Sequence, residues 1–308
     1  MGRYVLRRLL QAIPVFFGTT FLIYFMVWGL PGNPFAGRCG NRPCPDAYIQ
    51  RMTEKYHLDE NIFSQYFWYL SHLVRGDFGE SFTGTSVNTL LAQAFPVTLR
   101  LGLVAIAIEA LIGIIAGVVT GLRKGRFIDN LVLVSTLFLI AIPTFVTGAL
   151  LQWVLGVEWG IIKPTVSSEA RWSELIVPGF VLASVQLAFV TRLTRVSIVE
   201  NRRADYVRTA VAKGLSDSRV TGVHLLRNSL IPVVTQIGLD LGALMAGAIV
   251  TEGIFNIRGI GGMLFHAINR QDSALVVSIV AILVLVYLVA NLIVDLLYAV
   301  LDPRIRYE

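Results

Sequence analysis

Three acidic residues stand inside long apolar runs of this sequence: Glu109, Asp240 and Asp295. A charge at membrane depth costs several kcal/mol, so such groups face a bundle interior, a partner or water. Asp240 lies in GLDLGALMAG, where Gly238 and Gly242 have the G-x-x-x-G spacing that lets helices approach closely. Two roles fit it. With Thr235 and Gln236 it can line a water-facing translocation path, or it can be a hydrogen-bonded or protonated structural group between helices. Asp295 stands near the end of the last apolar run, within reach of the interface. No pattern of a catalyst accompanies these acids. The chain has no G-x-x-x-x-G-K-[ST] phosphate loop, no H-E-x-x-H and no G-x-S-x-G. Its four histidines, His57, His72, His224 and His266, are scattered and form no cluster with cysteine. The expectation is therefore no catalytic residue, no metal site and no ATP site on this chain.

A different kind of chemistry is suggested by residues 204–232, ADYVRTAVAKGLSDSRVTGVHLLRNSLIP, a polar stretch between apolar runs. Val207, Ala210, Val211 and Gly214 fall at i, i+3, i+4 and i+7 and predict one smooth helical face, with Asp205, Arg208 and Lys213 elsewhere. Gly214 is a natural helix stop. Ser216 follows as an N-cap with Asp217 in the next first turn. The spacing predicts helix, glycine turn and a second helix from 217 continuing past Pro232. A first helix of two to three turns is marginal alone in water, so it needs something to pack against. Lipid headgroups beside Arg202, Arg203, Arg208 and Lys213 would serve. So would the groove of a soluble partner.

The elements that carry these residues follow from composition. Of 308 residues, 55% are hydrophobic and 15% charged, against about a quarter charged in soluble domains. Mean hydropathy is +0.68. A bilayer core needs roughly 20 apolar residues per helix, and six windows qualify: 9–30, 98–121, 130–153, 174–194, 230–250 and 276–300. They are too long and too uniformly apolar for barrel strands. The fold class is an all-α polytopic membrane protein. Pro143, in AIPTF, is expected to kink the third span.

Segments 1–8, 122–129, 192–229 and 302–308 hold 16 of the 26 lysines and arginines. By the positive-inside rule they face the cytoplasm, as do both termini. That distribution accounts for the net charge of +6 without nucleic acid. The N-terminal run is expected to be an uncleaved span, because it is long, holds Pro14 and lacks an A-x-A site. Outside lies a long loop, 31–97, opened by the helix-stopping Pro31, Gly32 and Pro34. Its residues 46–75, with Tyr66, Phe67, Trp68 and Tyr69, suit a helical segment on the outer membrane face. A second outer loop, 154–173, carries Trp159 and Trp172. A third, 251–275, has glycines suited to tight turns or a short re-entrant helix. Cys39 and Cys44, in CGNRPC, would lie outside, where they can close a small disulfide loop or stand as free thiols. No second ligand pair is near them for zinc. The chain divides into 1–30, the loop 31–97, and a five-helix core over 98–308 with a cytoplasmic loop at about 195–229.

DYVRTAVAKGLSDSRV and HLLRNSLIPVVT resemble the cytoplasmic loop of ABC importer permeases, nearest to the dipeptide/oligopeptide/nickel branch. YVLRRLLQAIPVFFGTTFLIYFM, GDFGESF at 76–82, AIPTF and LDPRIR extend the resemblance over the whole chain. There are departures. The family's general pattern is E-A-A-x3-G, where this chain has RTAVAKG with its acid, Asp205, earlier. GIFNIRGIGG at 253–262 lacks the family's aromatic-proline-glycine pattern. The resemblance implies a type I importer permease of six helices in the bacterial cytoplasmic (inner) membrane. It implies that the short helix docks in a groove of an ATPase, with contacts on Asp205, Tyr206, Arg208, Thr209, Ala210, Lys213 and Gly214. It also implies a second homologous permease, one or two ATPase subunits holding ATP and Mg, an external substrate-binding protein and a peptide substrate. Nickel or another small solute of the same branch is the alternative cargo. A membrane receptor or enzyme whose loop binds another protein is the alternative of a different class.

Overall fold

The computed structural model describes residues 2–30 and 44–301, apart from the side chains of 2–5, 241, 245–247 and 295–301. Cys39 therefore lies outside the described residues, as does the side chain of Asp295. Cys44 is buried and disulfide-bonded. The described residues are largely helical, with a single isolated bridge between Glu80 and Ser86. They pack as two compact units, 1–99 with 256–308, and 100–255.

In the first unit, α1 (Gly2–Tyr24) continues through a π turn, Phe25–Gly29, and ends at Leu30 in extended conformation. Two helices form where the sequence predicts helix over 46–75: α2 (Asp46–Tyr56) and α3 (Ile62–Val74). His57, in left-handed conformation at φ 54°, ends α2, and the Asn61 side chain caps α3 through the Phe63 amide at 3.0 Å. The aromatic run then splits by helical period. Tyr66 is buried and Phe67 exposed. The Tyr66 hydroxyl sits 2.7 Å from Thr20 Oγ1 and 3.0 Å from the Phe17 carbonyl. Tyr24, Tyr66, Leu70 and Val277 form the core there. In the segment 251–275, α12 (Ile260–Asn269) leads into α13 (Ser273–Leu301). Gly261 and Gly262 lie buried inside α12, and the left-handed turns are made by Asn256 and Gln271 instead.

The second unit carries α4 (Val87–Leu122) from residue 100 on, α5 (Phe127–Ala141), α6 (Thr144–Leu151) with a π turn over Gln152–Glu158, and α7 (Ile176–Asn201). Next come α8 (Asp205–Ala212), α9 (Asp217–Arg219), a π turn over Val220–Leu225, α10 (Leu226–Ser229) and α11 (Ile231–Ile254). Pro232 sits in the first turn of α11, where its missing N–H costs nothing. The second helix predicted from 217 is thus present, interrupted by the π turn and a break at Leu230.

Four helical segments are long and apolar enough to cross a bilayer: Leu6–Gly29, Val87–Leu122, Ile176–Asn201 and Ser273–Val294. Two more windows are bent pairs, Phe127–Ala141 with Thr144–Glu158 at 101°, and Ile231–Leu244 with Ala248–Ile254 at 59°. Counting each pair as one span gives six. The first bend is larger than the expected kink. Ile142 is pushed to the extended region by the following proline, and Pro143 itself starts α6 with ψ 137°.

The close helix approach lies on α4 and α7. GIIAGVVTG places Gly113, Gly117 and Gly121 on one face of α4. A Cβ at Gly113 would stand 2.9 Å from Val190, at Gly117 2.6 Å from the Thr191 carbonyl, and at Gly121 2.7 Å from Ile198. Gly179 of α7 returns the favour toward Val104 at 2.6 Å. Only glycine fits at these crossings.

Candidate functional site

The short helix α8 has a buried base and an exposed crown. Val207 and Ala210 point inward into a cluster with Ile198, Val220 and Leu225, which Val118, Leu122, Leu215 and Leu226 flank. This cluster supplies the packing that a helix of 8 residues lacks by itself. Val211, expected on the same smooth face, is instead 56% exposed. The helix end is a Schellman turn. Gly214 takes φ +75°, its amide donates to the Val211 carbonyl at 2.9 Å, and the Leu215 amide donates to the Ala210 carbonyl at 3.3 Å. Ser216 stands where an N-cap should, but its hydroxyl makes no capping bond and lies 3.4 Å from Ser218 Oγ.

Of the seven residues predicted to contact an ATPase, six are exposed: Asp205, Tyr206, Arg208, Thr209, Lys213 and Gly214. Ala210 faces its own cluster. Asp205 and Arg208 form a loose exposed pair at 3.7 Å. The Tyr206 hydroxyl donates to Asn201 Oδ1 at 2.6 Å and ties the crown to the end of α7.

Beneath the crown, the ends of α4, α5 and α7 are braced by groups that sequence reasoning missed. Arg195 makes a bidentate pair with Asp129, Nε to Oδ1 at 2.5 Å and Nη2 to Oδ2 at 2.8 Å. Asp129 is buried and also accepts from the Gly125 amide at 2.8 Å. Arg202 Nη1 donates to the Leu122 carbonyl at 3.0 Å, closing the end of α4. Arg192 Nε donates to Thr136 Oγ1 at 3.1 Å. The available signal was charge inside otherwise apolar runs, FIDN and VTRLTRV. Loop 205–229 thus packs, through Val207 and Ala210, on Ile198 of α7 and on Val118 and Leu122 of α4, beside these braced ends.

The three residues predicted for a translocation path lie on one stretch of α11. Thr235 and Gln236 are half-buried and Asp240 is buried. Gln236 Nε2 donates to Asp240 Oδ1 at 3.0 Å. Glu109 of α4 is buried too, and among the described residues neither its carboxyl oxygens nor Asp240 Oδ2 has a hydrogen-bond partner. Among the described residues no cluster of three or more His, Cys, Asp or Glu is placed to hold a metal ion.

Residues 111–307 match the family described as "binding-protein-dependent transport system inner membrane component". Residues 1–102 match the N-terminal region described for the same transport-system membrane components. Among curated proteins the chain is similar to the di/tripeptide transport system permease protein DppB of Pseudomonas aeruginosa, with 35% identity over 335 residues. It is similar to the oligopeptide transport system permease protein OppB of Haemophilus influenzae, 33% identical over 309 residues. It is also similar to the glutathione transport system permease protein GsiC of Escherichia coli K12, 36% identical over 310 residues. Each alignment covers 100% of both chains.

Proposed function

The chain belongs to the binding-protein-dependent transport system inner membrane component family, and we propose that it forms half of the membrane path of an ATP-driven importer of short peptides, with α8 as the element on which the ATPase acts. The peptide reading rests on the relatives, whose names specify di- and tripeptides, oligopeptides and glutathione. Those names favour peptide over nickel.

One observation carries the role of α8. Its crown, Asp205, Tyr206, Arg208, Thr209 and Lys213, is exposed and polar while its base is buried against the ends of α4 and α7. A partner can grip such a helix without unfolding anything. ATP and Mg belong to partner ATPase subunits in this reading. When two ATPases close, this α8 and that of a second homologous permease are drawn together and the spans rock between two states. A binding protein delivers the peptide from outside. The excess of Lys and Arg in 1–8, 122–129, 192–229 and 302–308 supports placing α8 and both termini in the cytoplasm.

The test is Gly214→Leu in the reconstituted complex of both permeases, the ATPases and the binding protein. Open space surrounds Gly214, so the leucine meets no clash. Its left-handed φ does cost an L-residue roughly 1–2 kcal/mol and distorts the turn that presents α8. The complex should insert and assemble, while peptide uptake falls by about tenfold or more. Normal uptake by this variant would remove α8 from the energy path.

A further inference from the structure

The stretch GDFGESF at 76–82 has no part in the role of α8. It delivers Asp77, Phe78, Gly79 and Glu80 to one pocket of about 290 Å³, which lies wholly within the first unit. Six rings line this pocket: Tyr24 of α1, Trp28 of the π turn after it, Tyr56 at the end of α2, Trp68 and Tyr69 of α3, and Phe78. The rings hold one another. Trp28 and Tyr56 stack with centroids 5.4 Å apart and planes at 28°, and Tyr24 meets Tyr69 at 5.4 Å. Trp68 rests against His72 at 4.1 Å. A wall of mutually supported rings is preformed, so an apolar group entering it loses water at little cost in ordering the site.

The rim is charged and fixed in place. Gly76 and Gly79 each take the left-handed φ of +78° at this turn. Asn88 brackets it, with Nδ2 donating to the Gly76 carbonyl at 2.6 Å and Oδ1 accepting from the Phe78 amide at 3.2 Å. The Ser278 hydroxyl of α13 donates to the Phe78 carbonyl at 2.8 Å. Lys55 Nζ pairs with Glu80 Oε2 at 3.0 Å. Asp77 Oδ1 accepts from the Gly79 amide at 2.9 Å, and among the described residues no lysine or arginine pairs with Asp77. Two carboxylates therefore stand at the rim against one ammonium, which leaves a carboxylate for a cation from outside. Carboxylates accept strong, charge-assisted bonds from an ammonium, and ring faces attract cations and bury apolar groups.

We propose that this pocket binds the N-terminal residue of a peptide, with its ammonium at Asp77 and Glu80 and an apolar side chain among the rings. The proposal rests on reading the chain as a subunit of a peptide importer. The volume is at the small end of ligand pockets and suits one residue rather than a whole peptide. The rest of the cargo extends beyond the rim, so residues after the first are not selected there. The same lysine and arginine distribution that supports a cytoplasmic α8 supports placing this end of α1 outside, where cargo arrives.

The test is a saturation-transfer NMR titration of the purified complex of both permeases and the ATPases, without the binding protein. The probes are L-phenylalanine amide and N-acetyl-L-phenylalanine amide, which share a side chain and differ in the charge of the terminal nitrogen. Phenylalanine amide should bind about tenfold more tightly than its acetylated form. Asp77→Asn keeps an acceptor for the Gly79 amide and lies on the surface, so the fold is not at stake. This variant should weaken phenylalanine amide about fivefold and leave the acetylated probe unchanged. Equal affinity of the two probes for the wild type overturns the proposal. So does an Asp77→Asn complex that binds phenylalanine amide as the wild type does. Uptake of a dipeptide by the same wild-type complex, with the binding protein restored, separates the two layers. Uptake without charge-dependent binding overturns the pocket alone, and absence of uptake removes the importer reading beneath it as well.

Discussion

The α4–α7 seam and the loop built on α8 lie in the same unit of the chain and are made in opposite ways. The seam holds by shape. Gly113, Gly117 and Gly121 bring the α4 backbone against Val190, Thr191 and Ile198, and no side chain can be added without moving the partner helix. The loop holds by a small greasy base, four of its residues packed with Ile198 of α7, and turns the polar crown of α8 outward. A transmitting element has to be stiff, and a docking element has to present a surface to something else. The contrast implies that changes in the seam are read out as lost stability, and changes in the crown as lost coupling.

The strongest test of the contrast is Gly117→Leu. Its side chain would overlap the Thr191 carbonyl and Thr194, neither of which is a yielding side-chain end. We expect a loss of about 3 kcal/mol or more, seen as failure to recover a folded complex. Arg195→Met comes next. It leaves Asp129 buried with only the Gly125 amide, for a cost of about 3 kcal/mol at neutral pH in chemical unfolding. Asp129→Asn in the same chain should restore part of that. Val207→Ala should cost about 2 kcal/mol, confined to the loop. Hydrogen exchange should then rise over 205–229 and stay unchanged over 100–122. The smallest stability change belongs to Arg208→Ala, within about 0.5 kcal/mol of wild type because its partner Asp205 is an exposed ion pair. That variant should still transport peptide poorly. If Arg208→Ala unfolded the loop, or Gly117→Leu gave a complex as stable as the wild type, the division between the two regions would be wrong.

The parts of this fold that sequence shows are those whose physics is local. A bilayer crossing needs a continuous apolar run, so all six windows were visible, and Gly214 was visible because one residue type serves a left-handed helix end. Pro143 announced a bend but not its angle of 101°. Val211 was placed on the inner face by spacing, yet it is exposed. The inner face is chosen by Ile198, Val220 and Leu225, which are contributed by other elements. A tight crossing sits at GIIAGVVTG, a glycine spacing that the sequence reading did not single out. Period reveals that a helix can approach another closely, not which helix it meets. The pairing Asp129–Arg195 joins residues far apart in the chain, and no local signal predicts it. The resemblance to importer permeases supplied the partner of α8, which composition and period had left between lipid and protein.

The central claim is that the crown of α8 is the contact surface for the ATPase. It is tested most directly by a photo-reactive benzoylphenylalanine placed at position 208 in the assembled transporter, with exposed position 172, before α7, as control. The account predicts a covalent adduct with the ATPase subunit from position 208 and none from position 172. An intact, transport-competent complex that yields no ATPase adduct from position 208 would contradict it.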